Sequence, residues 1–315
     1  MSIAIADTIN PQPAIQQFKA EMHQQHSFDM QYLDNLFAKI KLRDSIIKAI
    51  SKPAEGKPWH QYRNIFLTES RINGGVEFWN KHEKTIGEVA EKYGVPAEIM
   101  IAILGVETRY GGNTGSYRVM DAISTLAFLY PKRSPFFRSE LEHFLLLARE
   151  EGVDPLSLTG SYAGAMGLPQ FMPSSYRNYA VDFDDDNQRD IWNNPADTLG
   201  SIANYFVKHG WQDDKAVVFK VAIDSKTARP FLNNDLKPLV PAEQLRKAGI
   251  QLDSTINQDE ALKLLEYELE NGKEFWVGLK NFYVITRYNH SPLYAMAVYQ
   301  LSQEIHNRKF NNKRK

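Results

Sequence analysis

Glu107 is the residue whose surroundings most suggest chemistry. It closes the run PAEIMIAILGVET, and Met100, Ile103 and Leu104 precede it at helical spacing. If that face is buried, the carboxyl is at least partly buried with it. Burial disfavours the charged form and raises a carboxyl pKa. Such an acid can hold its proton near neutral pH and deliver it. The same spacing also suits an acid at a helix end that turns to solvent or pairs with Arg109.

A second stretch, GSYAGAMGLPQFMPSSY, alternates small residues with aromatics around one amide, Gln170. Small residues let backbone or ligand come close. Tyr162, Phe171 and Tyr176 could line a groove, and Gln170 offers donor and acceptor to sugar hydroxyls and amides. A tightly packed loop would need the same glycines. Aromatic and amide residues recur in WHQYRNIF, with Trp59 and Tyr62, and in RYNHSPLY, with Tyr288, Asn289 and Tyr294. That is the composition expected of a carbohydrate cleft.

A third stretch, DFDDDNQRDIW, sets Asp182, Asp184 and Asp186 at alternate positions, as at positions 1, 3 and 5 of an EF-hand-type loop. Gln188 at position 7 could give its backbone carbonyl. Asn187 stands where glycine is usual, and asparagine tolerates the left-handed backbone. Asn193 replaces the closing glutamate, so Asp197 in the next helix is the candidate to complete the shell. Clustered carboxylates are costly without a counter-charge, which favours a calcium-like cation over a bare acidic loop.

The elements that must position these residues are mostly helical. Residues 13–92 read as a helical domain after a loose start over 1–12. A core follows over 93–212, of which part of 125–155 could pack with the helical domain. The Glu107 helix begins at Pro96 and stops at Gly111 and Gly112. Further helices are expected over PFFRSELEHFLLLAREEG and, with Asn194 as N-cap, over ADTLGSIANYFVKHG. Residues 213–282 read as a small α/β insertion. There AVVFKVAI, FWVGL and NFYVITRY suggest strands, and DEALKLLEYELENG suggests a helix. A helix over 283–306 completes the core, and 307–315 form a basic tail. The fold class is α+β, mainly helical.

Composition removes several function classes. The net charge of −1 argues against nucleic acid as the main partner. The absence of cysteine removes disulfides, zinc-thiolate sites and thiol catalysis. No stretch reaches the ~20 apolar residues of a membrane span. The opening MSIAIADTIN lacks the basic and apolar regions of an intact signal peptide. The glycines of YGGNTG follow a helix, and so fit a dinucleotide fingerprint poorly.

Taken together, GVETRYGGNTGSYRVMDAISTLAF, GSYAGAMGLPQFMPSSYRNYAVDFDDD, IWNNPADTLGSIANYFVKHGW and FYVITRYNHSPLYAMAVYQL resemble the membrane-bound lytic murein transglycosylase B family, over roughly residues 50–305. The resemblance implies a lysozyme-like core and a lyase that cleaves the MurNAc-β-1,4-GlcNAc bond of peptidoglycan. The muramoyl 6-hydroxyl would close on the anomeric carbon to leave a 1,6-anhydro end. It implies Glu107 as the single catalytic acid/base. It implies Tyr62, Ser161, Gln170, Tyr205, Tyr288, Asn289 and Tyr294 as substrate-binding residues, with Lys132 and Arg133 near a peptide-stem site. It also implies structural Ca2+ held by Asp182, Asp184, Asp186, Gln188 and Asp197, with no cofactor for catalysis.

A monomer acting on glycan strands in the periplasm is expected. Attachment to the outer membrane and cell-wall synthesis or remodelling proteins as further partners are also expected. The chain departs from the family in lacking the anchor cysteine of many members and in Leu168-Pro169 and Asn187. A hydrolytic muramidase on the same fold, and a non-catalytic peptidoglycan-binding scaffold, remain the alternatives.

Overall fold

The computed structural model describes residues 10–51 and 56–311. Most of the expected loose N-terminus and the end of the basic tail lie outside the described residues. Helices α1 (Gln12–His26), α2 (Met30–Phe37), α3 (Asp44–Ile50), α4 (Trp59–Phe66), α5 (Glu69–Lys81) and α6 (Glu83–Tyr93) come first. They are followed by α7 (Ala97–Thr108), α8 (Val119–Leu129), α9 (Ser134–Glu150), α10 (Pro173–Tyr179) and α11 (Pro195–Lys208). The last helices are α12 (Ser225–Ala228), α13 (Ala242–Lys247), α14 (Lys280–Tyr288) and α15 (Pro292–Asn311). Strands are β1 (Tyr117–Arg118), β2 (Thr159–Gly160), β3 (Val218–Val221), β4 (Val240–Pro241), β5 (Ala261–Glu268) and β6 (Lys273–Gly278).

The chain forms two compact units, each drawn from two separate stretches: 1–53 with 114–178, and 54–113 with 179–315. The sequence divided the chain at 92 and 212 because periodicity is read contiguously. The units are interleaved along the chain, and α1–α3 fall in one unit with α8 and α9.

In the first unit α8 is buried from Val119 to Phe128. Its polar residues serve the chain that crosses it. Asp121 Oδ1 accepts the Lys41 N–H at 2.8 Å and Arg118 Nη2 at 2.5 Å, and Thr125 Oγ1 accepts the Arg43 N–H at 3.1 Å. Buried Glu140 on α9 accepts the Ser174 N–H at 2.9 Å and its hydroxyl at 2.7 Å, which satisfies the start of α10.

The second unit is built around α7. Residues Ile99 to Gly105 are buried on every side, so the expected single apolar face is in fact an all-round core helix. Helices α5, α6, α11 and α15 pack against it. Asn194 caps α11 as expected, accepting the Ala196 N–H at 2.9 Å.

An antiparallel sheet in the order β3-β6-β5-β4 belongs to the same unit. One face holds Leu262, Leu264, Phe275 and Val277 against Ala242 and Leu245 of α13. On the other face, the Tyr267 ring lies 5.1 Å from Trp59, and its hydroxyl donates to the Pro292 carbonyl at 3.0 Å.

Two expectations fail here. DEALKLLEYELENG contains strand β5 rather than a helix. Its leucines and lysine suit helix by propensity, but Asn271-Gly272 turns the chain, and pairing with β6 along its length and with β4 at its start fixes it as a strand. Gly272 takes φ +90°, and the Leu269 N–H reaches the Gly272 carbonyl at 3.0 Å. Conversely NFYVITRY is helix α14. Its β-branched residues are overridden by burial of Asn281, Phe282, Val284 and Ile285. The buried Asn281 amide donates to the Gln212 and Lys215 carbonyls at 2.8 and 2.9 Å, which pins the helix start.

Candidate active site

Glu107 lies in the last turn of α7, one residue before its end. The helix stops earlier than its glycines suggest, because Arg109 and Tyr110 already adopt left-handed backbone with φ 51° and 59°. The Tyr110 N–H returns to the Leu104 carbonyl at 3.1 Å, and the Gly111 N–H to Thr108 Oγ1 at 3.1 Å, satisfying the helix end. Glu107 keeps some exposure, yet its carboxyl is densely surrounded, and burial lifts its pKa from 4.5 to about 7. The Tyr294 hydroxyl donates to Glu107 Oε1 at 2.5 Å. That bond favours the carboxylate and pulls the pKa down, but desolvation outweighs it.

Tyrosines surround this acid within the second unit. Tyr294 is buried on α15, and Tyr288, at the end of α14, is close enough to feel the Glu107 charge. Burial first, and the Glu107 charge second, push both phenols well above their ordinary pKa, so they remain hydrogen-bond donors. The Tyr205 ring centroid lies 4.9 Å from Tyr288, and its hydroxyl donates to the Arg287 carbonyl at 2.6 Å. Tyr62 acts electrostatically on Tyr294 and stacks loosely on Trp59 at 6.4 Å. Asn289 follows α14 and is exposed. His209 was not singled out by the sequence. It stacks on Tyr205 at 4.0 Å, and its place four residues after Tyr205, at the C-cap of α11, was the available signal.

Ser161 and Gln170 lie together in the first unit. The paired residues Met166 and Phe171 close a tight turn that puts Gln170 at φ 52°. Its Nε2 donates to the Gly167 and Thr114 carbonyls at 2.9 and 3.1 Å. Both donors are thus spent within the protein, and Oε1 is the atom left to accept from a ligand. Ser161 Oγ accepts the Ala163 and Ala165 N–H groups at 3.3 and 3.0 Å. The glycines are required: a Cβ at Gly160 would stand 2.2 Å from the Ala165 carbonyl oxygen. Lys132 and Arg133 sit exposed in a short 3-10 turn, with the Arg133 guanidinium 4.5 Å from the Phe136 ring centroid.

The acidic loop brings carboxylate oxygens of Asp182, Asp184, Asp186 and Asp197 within 4.8 Å of one another. Opposed ligands of a calcium ion stand about 4.6–5.2 Å apart, so the set fits such an ion. Asp197 is fully buried, and its two oxygens accept the Phe183 and Asp190 N–H groups at 2.7 and 2.8 Å. Burial, and secondarily the Asp184 and Asp182 charges, raise its pKa, and a cation would relieve that load. Asn187 adopts φ 68°, in the left-handed region. Asn193 is engaged with the Asp190 carboxylate instead of the cluster. The Gln188 N–H donates to Asp186 Oδ1 at 2.8 Å.

A desolvated lone acid among phenols, a glycine-rich amide loop and an acidic cation loop together narrow the field of relatives. The Transglycosylase SLT domain family matches residues 10–303. The membrane-bound lytic murein transglycosylase B of Escherichia coli (strain K12) is 43% identical over 303 residues, covering 93% of this chain and 82% of that protein. The soluble lytic transglycosylase structure from Pseudomonas aeruginosa aligns with a TM-score of 0.90 at 51% identity, covering 94% of this chain and 99% of that one. An Escherichia coli lytic transglycosylase solved in complex with calcium aligns with a TM-score of 0.87 at 41% identity, covering 96% and 99%. Matches of this extent reach both units and every motif described above, so the chain belongs to the membrane-bound lytic murein transglycosylase B family and carries its mainly helical, lysozyme-like fold.

Proposed function

We propose that this lytic transglycosylase cleaves the MurNAc-β-1,4-GlcNAc bond of peptidoglycan with Glu107 as its single general acid and base. The observation that carries the assignment is the isolation of that acid. Its pKa is lifted to about 7 by burial, and no other carboxylate among the described residues contributes to the shift. Glycosidases that recruit water or form a glycosyl-enzyme need a second carboxyl about 5–9.5 Å away. An attack from within the substrate needs none.

Glu107 gives its proton to the glycosidic oxygen as the C1–O4 bond breaks, and the GlcNAc end leaves with a free hydroxyl. The 6-hydroxyl of the same MurNAc then forms the C1–O6 bond. Its proton passes to the Glu107 carboxylate, which restores the starting acid and consumes no water. Acid–base assistance of this kind contributes about 10²–10⁴ in rate. Tyr294 stabilises the carboxylate between the two proton transfers, through the 2.5 Å bond it already makes.

We assign Tyr62, Tyr205, Tyr288, Tyr294 and Asn289 to binding the glycan, together with Ser161 and Gln170. Gln170 serves as acceptor through Oε1, since its amide hydrogens are occupied. Lys132 and Arg133 suit the carboxylates of a stem peptide. Asp182, Asp184, Asp186 and Asp197, with the Gln188 carbonyl, would hold Ca2+ as a structural ion that cross-links the loop to α11. The enzyme works in the periplasm; attachment to the outer membrane, a monomeric state and contacts with cell-wall synthesis or remodelling proteins complete the proposal.

The test is Glu107→Gln against purified sacculi. Loss of muropeptide release with sacculus binding retained supports the assignment. Near-normal release would remove Glu107 from the reaction.

A further inference from the structure

The proton chemistry leaves one arrangement unused. Helix α5 carries adjacent glycines, Gly74 and Gly75, in its interior, where glycine weakens a helix. Both face the phenol of Tyr110. A Cβ at Gly74 would stand 2.9 Å from the Tyr110 ring, and one at Gly75 would stand 2.5 Å from Ile305 of α15 and 2.8 Å from the Tyr110 hydroxyl. Gly105 of α7 closes the slot from the other side, where a Cβ would stand 2.5 Å from the same hydroxyl. The Tyr110 hydroxyl donates to the Arg71 carbonyl of α5 at 2.7 Å, and its ring stacks on Phe78 at 5.9 Å. To reach this slot the chain takes left-handed backbone at two successive residues without glycine, Arg109 and Tyr110. Such backbone is unfavourable for these residue types and persists only where the surroundings hold it.

We propose that Tyr110 is a positioning residue for the catalytic carboxyl. Its phenol, seated between α5 and α7 where three glycines make room, fixes the last turn of α7 and so the place of Glu107. Glu107 lies two residues before this turn, and the anchor therefore acts on the acid through backbone alone. The proposal rests on the reading of Glu107 as acid and base.

Tyr294 from α15 is the group that acts on the Glu107 carboxyl, and the Glu107 charge in turn acts on Tyr288 at the end of α14. Arg71 on α5 is the charge that acts on Tyr110, and Arg109 in turn acts on Arg71. Tyr110→Phe removes the hydroxyl, with its bond to the Arg71 carbonyl and its exposure to the Arg71 charge, and leaves the Tyr294 bond to Glu107 in place. A loosened turn lets water reach Glu107, and its pKa then falls from about 7 toward 4.5.

The test measures kcat, KM and the pH profile of kcat/KM on soluble GlcNAc–MurNAc oligomers, with Tm alongside. Tyr110→Phe is expected to lower kcat about tenfold or more with KM nearly unchanged, and to move the basic limb to lower pH. Gly105→Ala, which pushes the phenol from its slot, is expected to move the limb the same way. A lowered Tm with parental kcat and parental limb would reduce Tyr110 to a packing role and overturn the proposal. So would a Tyr110→Phe enzyme that matches the parent throughout. Product identity, read on the parent enzyme alone, decides the underlying reaction separately.

Discussion

Replacing Glu107 by glutamine should make the folded protein more stable, but only above acidic pH. In the folded chain the carboxyl titrates at about 7, against 4.5 when unfolded. Each pH unit of difference is worth about 1.4 kcal/mol, so ionising Glu107 costs the native state on the order of 3 kcal/mol. The sign follows from proton counting. Between pH 4.5 and about 7 the native state keeps a proton that the unfolded chain has released. Stability therefore falls as pH rises through that window and is level above it. Glutamine keeps the shape and still accepts from Tyr294, but it never ionises. Parent and variant should match near pH 4.5, and at about pH 8 the variant should be more stable by roughly 3 kcal/mol. Urea unfolding at both pH values measures the difference. Asp197 also titrates abnormally, but it is common to both proteins and cancels. Parallel stability curves would refute the desolvated acid, and with it the reason for placing catalysis there.

Other outcomes follow from the same geometry. Tyr294→Phe removes a bond that favours the Glu107 carboxylate, worth about 1.5–3 kcal/mol to a charged acceptor. The basic limb of kcat/KM should then move up by roughly one to two pH units; a limb that stays or moves down contradicts the role of Tyr294. Chelation should lower the Tm while leaving cleavage intact at low temperature, and calcium at a hundredfold excess over Kd should restore about 2.7 kcal/mol. A Tm indifferent to both treatments would empty the acidic loop of its proposed ion. Gly272→Ala, at φ +90°, should destabilise the hairpin by about 1–2 kcal/mol in urea unfolding, with cleavage products unchanged; unaltered stability would mean that the turn is not held as described.

The candidate site was more legible in the sequence than the fold around it. Glu107, Tyr288 and Tyr294 could be singled out because an acid after an apolar run, and tyrosines beside amides, are unusual locally. The grouping of α1–α3 with α8 and α9 left only a faint mark, the reading that part of 125–155 could pack with the helical domain, since it depends on contacts across about 80 residues, such as Lys41 with Asp121. Strand β5 was misread because ALKLLEYE has helical propensity, while the decisive signal, Asn271-Gly272, lies just past its end. The seat of Tyr110 was hidden for a different reason. Its slot is made by glycines on two helices, and glycine spacing alone does not say which side chain fills the gap.

Mass spectrometry of products released from purified sacculi tests the central claim most directly. Muropeptides ending in 1,6-anhydro-MurNAc, one water lighter than their hydrolysed counterparts, are the predicted result. Reducing, water-added MurNAc ends as the sole product would contradict intramolecular attack and assign Glu107 to a hydrolytic muramidase.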